Sequence, residues 1–337
     1  MKIRKNKTYI IAEIGINHEG KYNIAKKLIL NAAKAGADAV KFQIFNPITL
    51  ATPEIKKTQH QKRKNKKKES LFKMWNRMTF TLNQWKNLKR IAKAKSLDFI
   101  CSVFDEESIK KAKSIGIDAY KIASSDLTDY KLFKILKNVK KPILLSTGMG
   151  SRIEIKNAIS RIRSKNIYIL HCVSLYPCPG NFVNLKRIIS LKKKYNKPTG
   201  YSDHSIGTNA CIGAIALGAK IIEKHFTLNK KKLGSDHMLS ADLKDLKEIC
   251  NFGKNFKKQL GTGSIEPSKK EKGMRKFFRK SIFAKNDIFP NDTFSLKNLD
   301  TRRPSANLTA DKIDMIINKK AKKKINKNEI IKLHYIK

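Results

Sequence analysis

The hydrophobic positions of the chain alternate between short strand-like runs and longer amphipathic stretches. In the stretch at 23–37, for example, apolar residues recur three and four positions apart and a glycine closes the pattern, as in a surface helix. Eight strand-like runs lie at 9–15, 39–45, 98–104, 119–124, 142–148, 167–173, 198–204 and 220–226. Strands that alternate with helices indicate a parallel sheet, and eight such units predict a closed (β/α)8 TIM barrel rather than an open sheet.

The alternation ends with a helical stretch at 241–259, and the composition then changes. Residues 261–280 are rich in Gly, Ser and Lys, as linkers are, and residues 281–337 contain several short β-like runs. We therefore predict a barrel domain at 1–262, a linker at 263–280 and a small β-rich domain at 281–337. A unit of this size has a thin core and gains stability from packing on something else.

Polar side chains occur where the strand-like runs end. TIM barrels carry their chemistry at the carboxyl ends of the strands. Polar groups inside an apolar barrel are costly unless they have ligands or partners. Hydrogen bonding of these polar side chains to one another explains their presence on one or two strands but not on eight, so the pattern predicts a functional site. Its candidate residues are Glu13, Lys41, Gln43, Ser102, Lys121, Ser124, Ser146, His204 and His225.

Two neighbouring strand-like runs both finish in a histidine. His204 lies in "TGYSDHS" (199–205) and His225 in "IIEKHFT" (221–227). A lone histidine on an apolar face is more often a satisfied core residue, but a matched pair is a common beginning of a metal site. Because strands seven and eight are adjacent in a barrel, the two imidazoles can converge on one ion.

The charge of the chain is strongly positive. There are 74 basic and 27 acidic residues, a formal net charge of +47, and only 12 of the basic residues are Arg. Nucleic-acid-binding proteins usually cluster their basic residues and use Arg freely. Here the lysines are spread along the chain, so we expect attraction of small anionic substrates but no specific nucleic-acid binding.

The cysteines and the apolar runs bear on the compartment. The five cysteines form no CxxC pair, which suits buried thiols in a reducing compartment. The N-terminal apolar run is interrupted by Glu13 after a few residues, and no run approaches the roughly 18 apolar residues of a membrane span. We therefore expect a cytoplasmic protein that does not bind membranes.

Seven motifs occur in order at the predicted strand ends: "AEIGINHEG", "AVKFQIF", "YKIASSD", "LLSTGMGS", "HCVSLYP", "GYSDHSIG" and "IIEKHFT". Together they resemble the sialic acid synthase family, whose members condense phosphoenolpyruvate with an N-acylated amino sugar to make nonulosonic acids. The tail resembles the antifreeze-protein-like (SAF-type) domain of that family. The resemblance thus implies the TIM barrel followed by a small β-rich domain.

The resemblance also implies roles for individual residues. His204 and His225 would bind a divalent metal, typically Mn²⁺, with Mg²⁺ or Co²⁺ as alternatives. The phosphoenolpyruvate pocket would contain Lys41, Ser102, Lys121, Ser124, Ser146 and Ser202. Around the sugar and the metal would lie Gln43, Asp126 and Ser174, together with the catalytic candidates Glu13, Tyr176 and Asp236. Position 174 is Asn in many family members, which leaves the contact to the sugar open.

Arg303, in "TRRPS", matches a tail arginine that family members insert into the active site of a neighbouring subunit. The resemblance therefore implies a domain-swapped homodimer whose substrates are phosphoenolpyruvate and an N-acetylated amino sugar. The acceptor would be N-acetylmannosamine or 2,4-diacetamido-2,4,6-trideoxymannose, giving N-acetylneuraminate or a legionaminate-type acid and phosphate by C–O cleavage.

Other functions stay open at this stage. A pseudaminic acid synthase is the nearest alternative, and an enzyme that makes a sugar-acid phosphate is the next, although no second Arg-rich cluster for an acceptor phosphate is present. Lys121 and Lys224 would suit a Schiff-base aldolase, but the paired histidines favour metal and phosphate chemistry. A basic nucleic-acid-binding protein and an inactive relative are the remaining classes.

Overall fold

The computed structural model describes residues 1, 3, 7–52, 54–55, 70–137, 139–234, 236–306 and 308–337. The chain divides into two compact units, Met1–Leu260 and Gly261–Lys337. The lysine-rich run at 62–69, which resembles a solvated charged face in the sequence, lies outside the described residues. In the part of the chain that the structure describes, no helix is long and apolar enough to cross a membrane.

Unit one is a closed barrel of eight parallel strands that pair in chain order, with β1 also paired to β8. The eight strands are β1 Tyr9–Gly15, β2 Ala39–Ile44, β3 Asp98–Val103, β4 Ala119–Ile122, β5 Ile143–Ser146, β6 Ile167–Cys172, β7 Thr199–Asp203 and β8 Ile221–His225. Each of the eight predicted runs contains one of these strands, with bounds that differ by no more than two residues at either end. The TIM-barrel prediction is confirmed.

Helices cover the outside of the barrel. Their bounds are α1 Tyr22–Ala35, α2 Pro47–Leu50, α3 Leu71–Asn76, α4 Leu82–Ala94, α5 Glu106–Ile115, α6 Tyr130–Leu136, α7 Arg152–Ile162, α8 Lys186–Tyr195, α9 Asn209–Ala216 and α10 Leu243–Leu260. Helix-capping residues define several of these helix ends. Asp105 caps α5 by accepting a hydrogen bond from the backbone of Ser108, and Gly36 ends α1 in the left-handed conformation that glycine adopts readily.

The interior of the barrel has two layers, because residues two apart on a strand face the same side. The lower layer is an apolar cluster contributed by Tyr9, Ile11, Ala39, Ile100, Ala119, Leu144, Leu170 and Ile221. Strand β7 contributes Gly200 at this level, where a Cβ would lie 2.5 Å from the carbonyl oxygen of Ile221. The filled lower layer closes the barrel, so any ligand must bind above it.

The upper layer begins two residues further along each strand. Its inward-facing side chains are Glu13, Lys41, Ser102, Lys121, Ser146, Cys172, Ser202 and Glu223. All of them are buried. The step from an apolar to a polar layer therefore places the chemistry of the protein at the carboxyl ends of the strands.

Unit two contains the helix α11 Lys269–Phe278 and an antiparallel pair, β9 Ser281–Ala284 and β10 Leu299–Arg302. Its own core is formed by Ile282, Ala284, Ile288, Phe294, Leu299, Leu308, Ile316, Ala321, Ile325, Ile331 and Tyr335. The stretch 263–280, for which the composition predicts a linker, includes α11, which Ser268 caps by accepting a hydrogen bond from the backbone of Glu271.

Candidate active site

Lys41 is the centre of a buried polar cluster in the upper layer. Its Nζ lies 2.8 Å from Oε2 of Glu13 and donates to Oγ of Ser102 at 3.0 Å. Oε1 of Glu223, on β8, lies 3.8 Å from the same Nζ. One ammonium group is therefore shared by two carboxylates and a hydroxyl, with all four side chains removed from solvent.

The two carboxylates of this cluster have opposite pKa shifts. Burial raises the pKa of Glu13, and the Lys41 ammonium only partly opposes it. Burial would also raise the pKa of Glu223, but the ammonium groups of Lys121 and Lys41 outweigh it and hold that pKa below its usual range. Two carboxyl groups whose environments separate their pKa values can act as an acid and a permanent charge. Glu13 is the group whose proton is held more tightly than usual, and Glu223 is the one that loses its proton more readily.

The two lysines also differ. Burial lowers the pKa of Lys121, and Glu223 only partly opposes the change. Burial would lower the pKa of Lys41 as well, but the neighbouring Glu13 and Glu223 reverse the sign and raise it. Lys121 Nζ donates to the carbonyl oxygen of Ile122 at 3.1 Å. An anionic ligand that pairs with Lys121 would raise its pKa again.

Hydroxyl groups complete the cluster. Ser202 Oγ donates to Oε1 of Glu223 at 2.9 Å, and Ser124 Oγ accepts a hydrogen bond from the backbone N–H of Gly148 at 3.0 Å. Oγ of Ser146 and of Ser174 are buried and have no hydrogen-bond partner among the described residues. Buried polar atoms without partners are uncommon in proteins, so these two hydroxyls indicate that a polar ligand occupies the space they face.

A glycine keeps this space open. A Cβ at Gly148 would lie 2.4 Å from Oγ of Ser174 and 2.7 Å from Oγ of Ser124. The loops after β4, β5 and β6 therefore meet at Gly148. Ser124, which the resemblance assigns to the phosphoenolpyruvate pocket, and Ser174, which it assigns to the sugar, both lie beside Gly148.

His204 and His225 lie side by side at the mouth of the barrel, with ring centroids 5.5 Å apart. Nδ1 of His204 is 2.9 Å from the carbonyl oxygen of Val173, so this nitrogen carries the proton and donates. Nε2 of His204 is then the free ligand atom. The Tyr176 ring stacks against His204 with its centroid 4.0 Å away.

His225 is buried, and its pKa lies well below the usual range because of burial and the nearby cations, His204 first among them. Its Nδ1 has no hydrogen-bond partner among the described residues, and Oδ2 of Asp236 lies 3.8 Å from it. A neutral imidazole with an unpartnered nitrogen is the form that binds metals.

These residues fit a divalent ion. Imidazoles that bind one ion at about 2.1 Å place their ring centroids about 5 to 6 Å apart, in agreement with the observed distance. Among the described residues, no group of three or more His, Cys, Asp or Glu side chains is arranged to hold a metal. The protein would thus contribute few ligands and leave positions open for substrate oxygens.

Asp236 lies in the loop after β8, and this loop is tied to the loop after β1. Ser240 Oγ donates to the carbonyl oxygen of Asp236 at 2.6 Å, and Asn17 Nδ2 donates to Oγ of Ser240 at 3.0 Å. Nε2 of His237 lies 3.2 Å from Oε1 of Glu19. These contacts hold the Asp236 loop near His225.

The remaining predicted residues are placed as follows. Gln43 Nε2 donates to Oε1 of Glu13 at 3.1 Å, so it joins the cluster. Asp126 is half-buried in a short 3₁₀ turn after β4, and burial raises its pKa to about 6. Arg303 belongs to unit two, where its Nε donates to the carbonyl oxygen of Phe278 at 2.9 Å. Its proposed contact with a neighbouring subunit stays a prediction.

Glu223 was missed by the sequence reasoning, although it is central to the cluster. A signal was present: residue 223 precedes His225 by two positions in "IIEKHFT", so both side chains face the barrel interior. Cys172 faces the same interior, and its Sγ lies 3.7 Å from Nδ1 of His204.

His18, for which the sequence allows an active-site role, is instead enclosed by aromatic side chains. Its ring centroid is 4.6 Å from that of Phe80, and its Nδ1 accepts a hydrogen bond from the backbone of Gly20. Burial lowers the pKa of His18 to about 4. The folded protein therefore binds this proton less readily than the unfolded chain does.

We expect a measurable pH dependence of stability from this group. Above the unfolded pKa of about 6.5 the stabilisation is fully present, and it is lost as the pH falls towards 4. Between pH 7 and pH 5 the loss from His18 alone is about 2 kcal/mol. Urea unfolding of the wild type and of His18→Gln at both pH values measures it. The variant should lose less stability than the wild type, and equal losses would contradict the assignment.

Comparisons with known proteins identify the family of the chain. The profile of the NeuB family matches residues 28–265, and that of the SAF domain matches residues 279–336. The chain is 38% identical to the N,N'-diacetyllegionaminic acid synthase of Campylobacter jejuni, over 97% of this chain and 99% of that protein. It is 33% identical to a pseudaminic acid synthase of C. jejuni, over 97% and 96% of the two chains.

A similar protein of known structure is the N-acetylneuraminic acid synthetase of Leptospira borgpetersenii, solved in complex with citrate. The TM-score is 0.69 and the identity is 35%, with 80% of this chain and 90% of that chain covered. The order of the strand-end motifs, the closed barrel and the buried lysine–carboxylate cluster are thus accompanied by similarity over nearly the full length. The chain belongs to the NeuB family and carries a SAF domain at its C-terminal end.

Proposed function

We propose that the protein is a nonulosonic acid synthase, which condenses phosphoenolpyruvate with an N-acetylated amino sugar and releases phosphate. One observation carries the proposal: two buried lysines and several hydroxyls lie directly beneath a pair of imidazoles at the barrel mouth. Phosphoenolpyruvate bears a phosphate and a carboxylate, and such groups are bound by ammonium charges and short hydroxyl donors.

The lysines account for anion binding. In the free protein Lys41 is neutralised by Glu13 and Glu223, and Lys121 has a lowered pKa. A bound dianion would supply the counter-charge that Lys121 lacks. Oγ of Ser146 and of Ser174, which have no partner among the described residues, would donate hydrogen bonds to ligand oxygens.

The metal and the carboxyl groups would have separate roles in the reaction. A divalent ion held by His204 and His225, Mn²⁺ in our proposal, supplies Lewis-acid polarisation of the sugar aldehyde. The methylene carbon of phosphoenolpyruvate forms a bond to the aldehyde carbon, water adds to the phosphate-bearing carbon, and phosphate leaves by C–O cleavage. Burial raises the pKa of Glu13, and this group lies at the centre of the site, so we assign to it the proton transfer. Glu223 stays ionised and holds the lysines in place.

We propose 2,4-diacetamido-2,4,6-trideoxymannose as the acceptor. Two of the similar proteins, at 38% and 32% identity, are N,N'-diacetyllegionaminic acid synthases. The loops after β5, β6 and β7 expose the apolar side chains of Met149, Leu175 and Ile206. Apolar side chains at the mouth suit the methyl groups of a deoxygenated, doubly acetylated sugar. We further propose a domain-swapped homodimer in which Arg303 of one copy contacts the sugar in the other.

The test supplies purified protein with Mn²⁺, phosphoenolpyruvate and one acceptor at a time, and measures phosphate release and product mass. The acceptors are the proposed sugar, the isomeric precursor of pseudaminic acid, N-acetylmannosamine and its 6-phosphate. We expect the highest kcat/KM for the proposed sugar and no reaction after chelation. Preference for the phosphorylated sugar would reject the acceptor proposal. Phosphate release with none of the four would reject the synthase itself.

A further inference from the structure

Behind the two histidines, on the outward side of β7 and β8, lies an ion pair between Asp203 and Lys224. Nζ of Lys224 is 2.7 Å from Oδ2 of Asp203, and both side chains are 0% exposed. Both side chains of the pair point away from the barrel interior, because Ser202 and Glu223, one residue earlier on each strand, face inward. It therefore contacts neither the interior cluster nor the proposed substrates.

The contacts of Lys224 connect the backbones around both histidines. Lys224 directly precedes His225, and its Nζ donates to Asp203 and to the carbonyl oxygen of Ser205. Asp203 and Ser205 are the two residues that flank His204. The Lys224 ammonium group thus binds the residues immediately before and after His204, and Lys224 is itself the residue that precedes His225.

The carboxylate of Asp203 is also fully engaged. Oδ1 accepts hydrogen bonds from the hydroxyl of Tyr201 at 2.9 Å and from the backbone N–H of Ser205 at 2.8 Å. Oδ2 lies 3.3 Å from Sγ of Cys211 on helix α9, in addition to Lys224. The turn that carries His204 is therefore held from several directions by one side chain.

A fully buried ion pair adds little to stability, because the cost of desolvating two charges offsets much of their attraction. Two apolar side chains of similar volume would fill this site at less cost. The charged pair instead adds geometric specificity, because its hydrogen bonds fix the position of the end of strand β7 relative to strand β8. The observation that needs explaining is thus a costly pair placed immediately beside two candidate metal ligands.

We propose that Asp203 and Lys224 are positioning residues that set the separation of the His204 and His225 imidazoles for a divalent ion. The inference rests on the metal site of the proposed function. The ring of His204 is oriented by Val173, and the ion pair controls the backbone that carries both rings. Loss of the pair should therefore weaken metal binding more than it weakens the fold.

The test is the double variant Asp203→Asn with Lys224→Met, which removes both charges and keeps the side-chain volumes similar. Mn²⁺ is titrated into the protein without substrate, and free Mn²⁺ is measured by electron paramagnetic resonance. The dissociation constant should rise at least about tenfold, the size seen when groups that orient metal ligands are removed. Turnover should recover in part at high Mn²⁺, whereas KM for phosphoenolpyruvate at saturating Mn²⁺ should stay within about twofold.

A matched control removes an ion pair at the opposite end of the barrel. Lys89 and Asp118 form a salt bridge near the start of β4, where Asp118 also accepts from the backbone of Phe99. The double variant Lys89→Met with Asp118→Asn should lower Tm and leave Mn²⁺ affinity unchanged. Equal losses of Mn²⁺ affinity in both double variants would overturn the proposal, since a general loss of stability would then explain them.

Three further outcomes are decisive. A folded Asp203→Asn, Lys224→Met protein with wild-type Mn²⁺ affinity would overturn the positioning role. If that protein does not fold, Tyr201→Phe removes a single hydrogen bond to Asp203, and Mn²⁺ affinity should fall about two- to fivefold; no change would overturn the proposal. A wild-type protein that does not bind Mn²⁺ would reject the metal site itself. That result is distinguishable from a failure of the acceptor proposal, because the titration contains no sugar.

Discussion

Replacing His225 by Ala is expected to abolish Mn²⁺ binding and to lower kcat by about 10³-fold or more. The loss of several kcal/mol of metal polarisation corresponds to that factor. The fold should persist, because the imidazole is neutral and its Nδ1 has no hydrogen-bond partner among the described residues. Phosphate release, Mn²⁺ titration and thermal unfolding measure the three effects.

His171 provides the matched control. It is also a buried histidine on a barrel strand, but its Nε2 lies 2.7 Å from the carbonyl oxygen of Val183, on the outward side of β6. His171→Ala should lower Tm and leave Mn²⁺ affinity unchanged. Turnover that survives the loss of His225, or that survives chelation, would show that the metal assignment is wrong.

Replacing Lys41 by Met is expected to lower kcat/KM for phosphoenolpyruvate by about 10²- to 10⁴-fold. Truncating one partner of a buried, hydrogen-bonded charge pair in a binding site costs about 2 to 5 kcal/mol or more of binding free energy, and the Lys41 ammonium would be such a partner for the anion. Most of the loss should be in KM. Initial rates over a range of phosphoenolpyruvate concentrations measure it.

Lys110 on α5 is the control for Lys41→Met, since it is exposed and its ion pair is with Glu106, one turn away in the same helix. Lys110→Met should leave kcat/KM unchanged, because surface ion pairs contribute little. A Lys41→Met protein with unchanged KM would exclude Lys41 from the anion site. Thermal unfolding of both variants separates this result from a loss of fold.

Most of the barrel could be predicted from the sequence, for a physical reason. Strand β1, for example, is buried on both sides and appears as an apolar run interrupted at Glu13, and helix α1 shows a clear apolar stripe. Because the parallel strands of a barrel all end on the same side, polar residues at the strand ends lie together at one end of the barrel. Glu13, Lys41 and Ser102 do meet, within 3.0 Å of one another through the Lys41 ammonium.

Other features could not be read from the sequence. Glu223 lies far from Lys41 along the chain, and their approach depends on how the strands are staggered when the barrel closes. Whether Ser146 and Ser174 find partners depends on the surrounding side chains. The separation of the pKa values of Glu13 and Glu223 depends on the cations around each group, since Lys41 is near both and Lys121 additionally lowers the pKa of Glu223. Distances of a few ångströms decide all three.

The sequence by itself determined the barrel, the end at which the chemistry lies and the residue types found there, because the two-residue period of a strand decides which side chains face inward. Only the tertiary structure decided which of them touch. It joined Lys224 to both neighbours of His204, raised the pKa of Glu13 by burial, and left two buried serine hydroxyls without partners among the described residues. Periodicity is a local property of the chain, whereas electrostatic and hydrogen-bond energies depend on contacts between residues from distant parts of it.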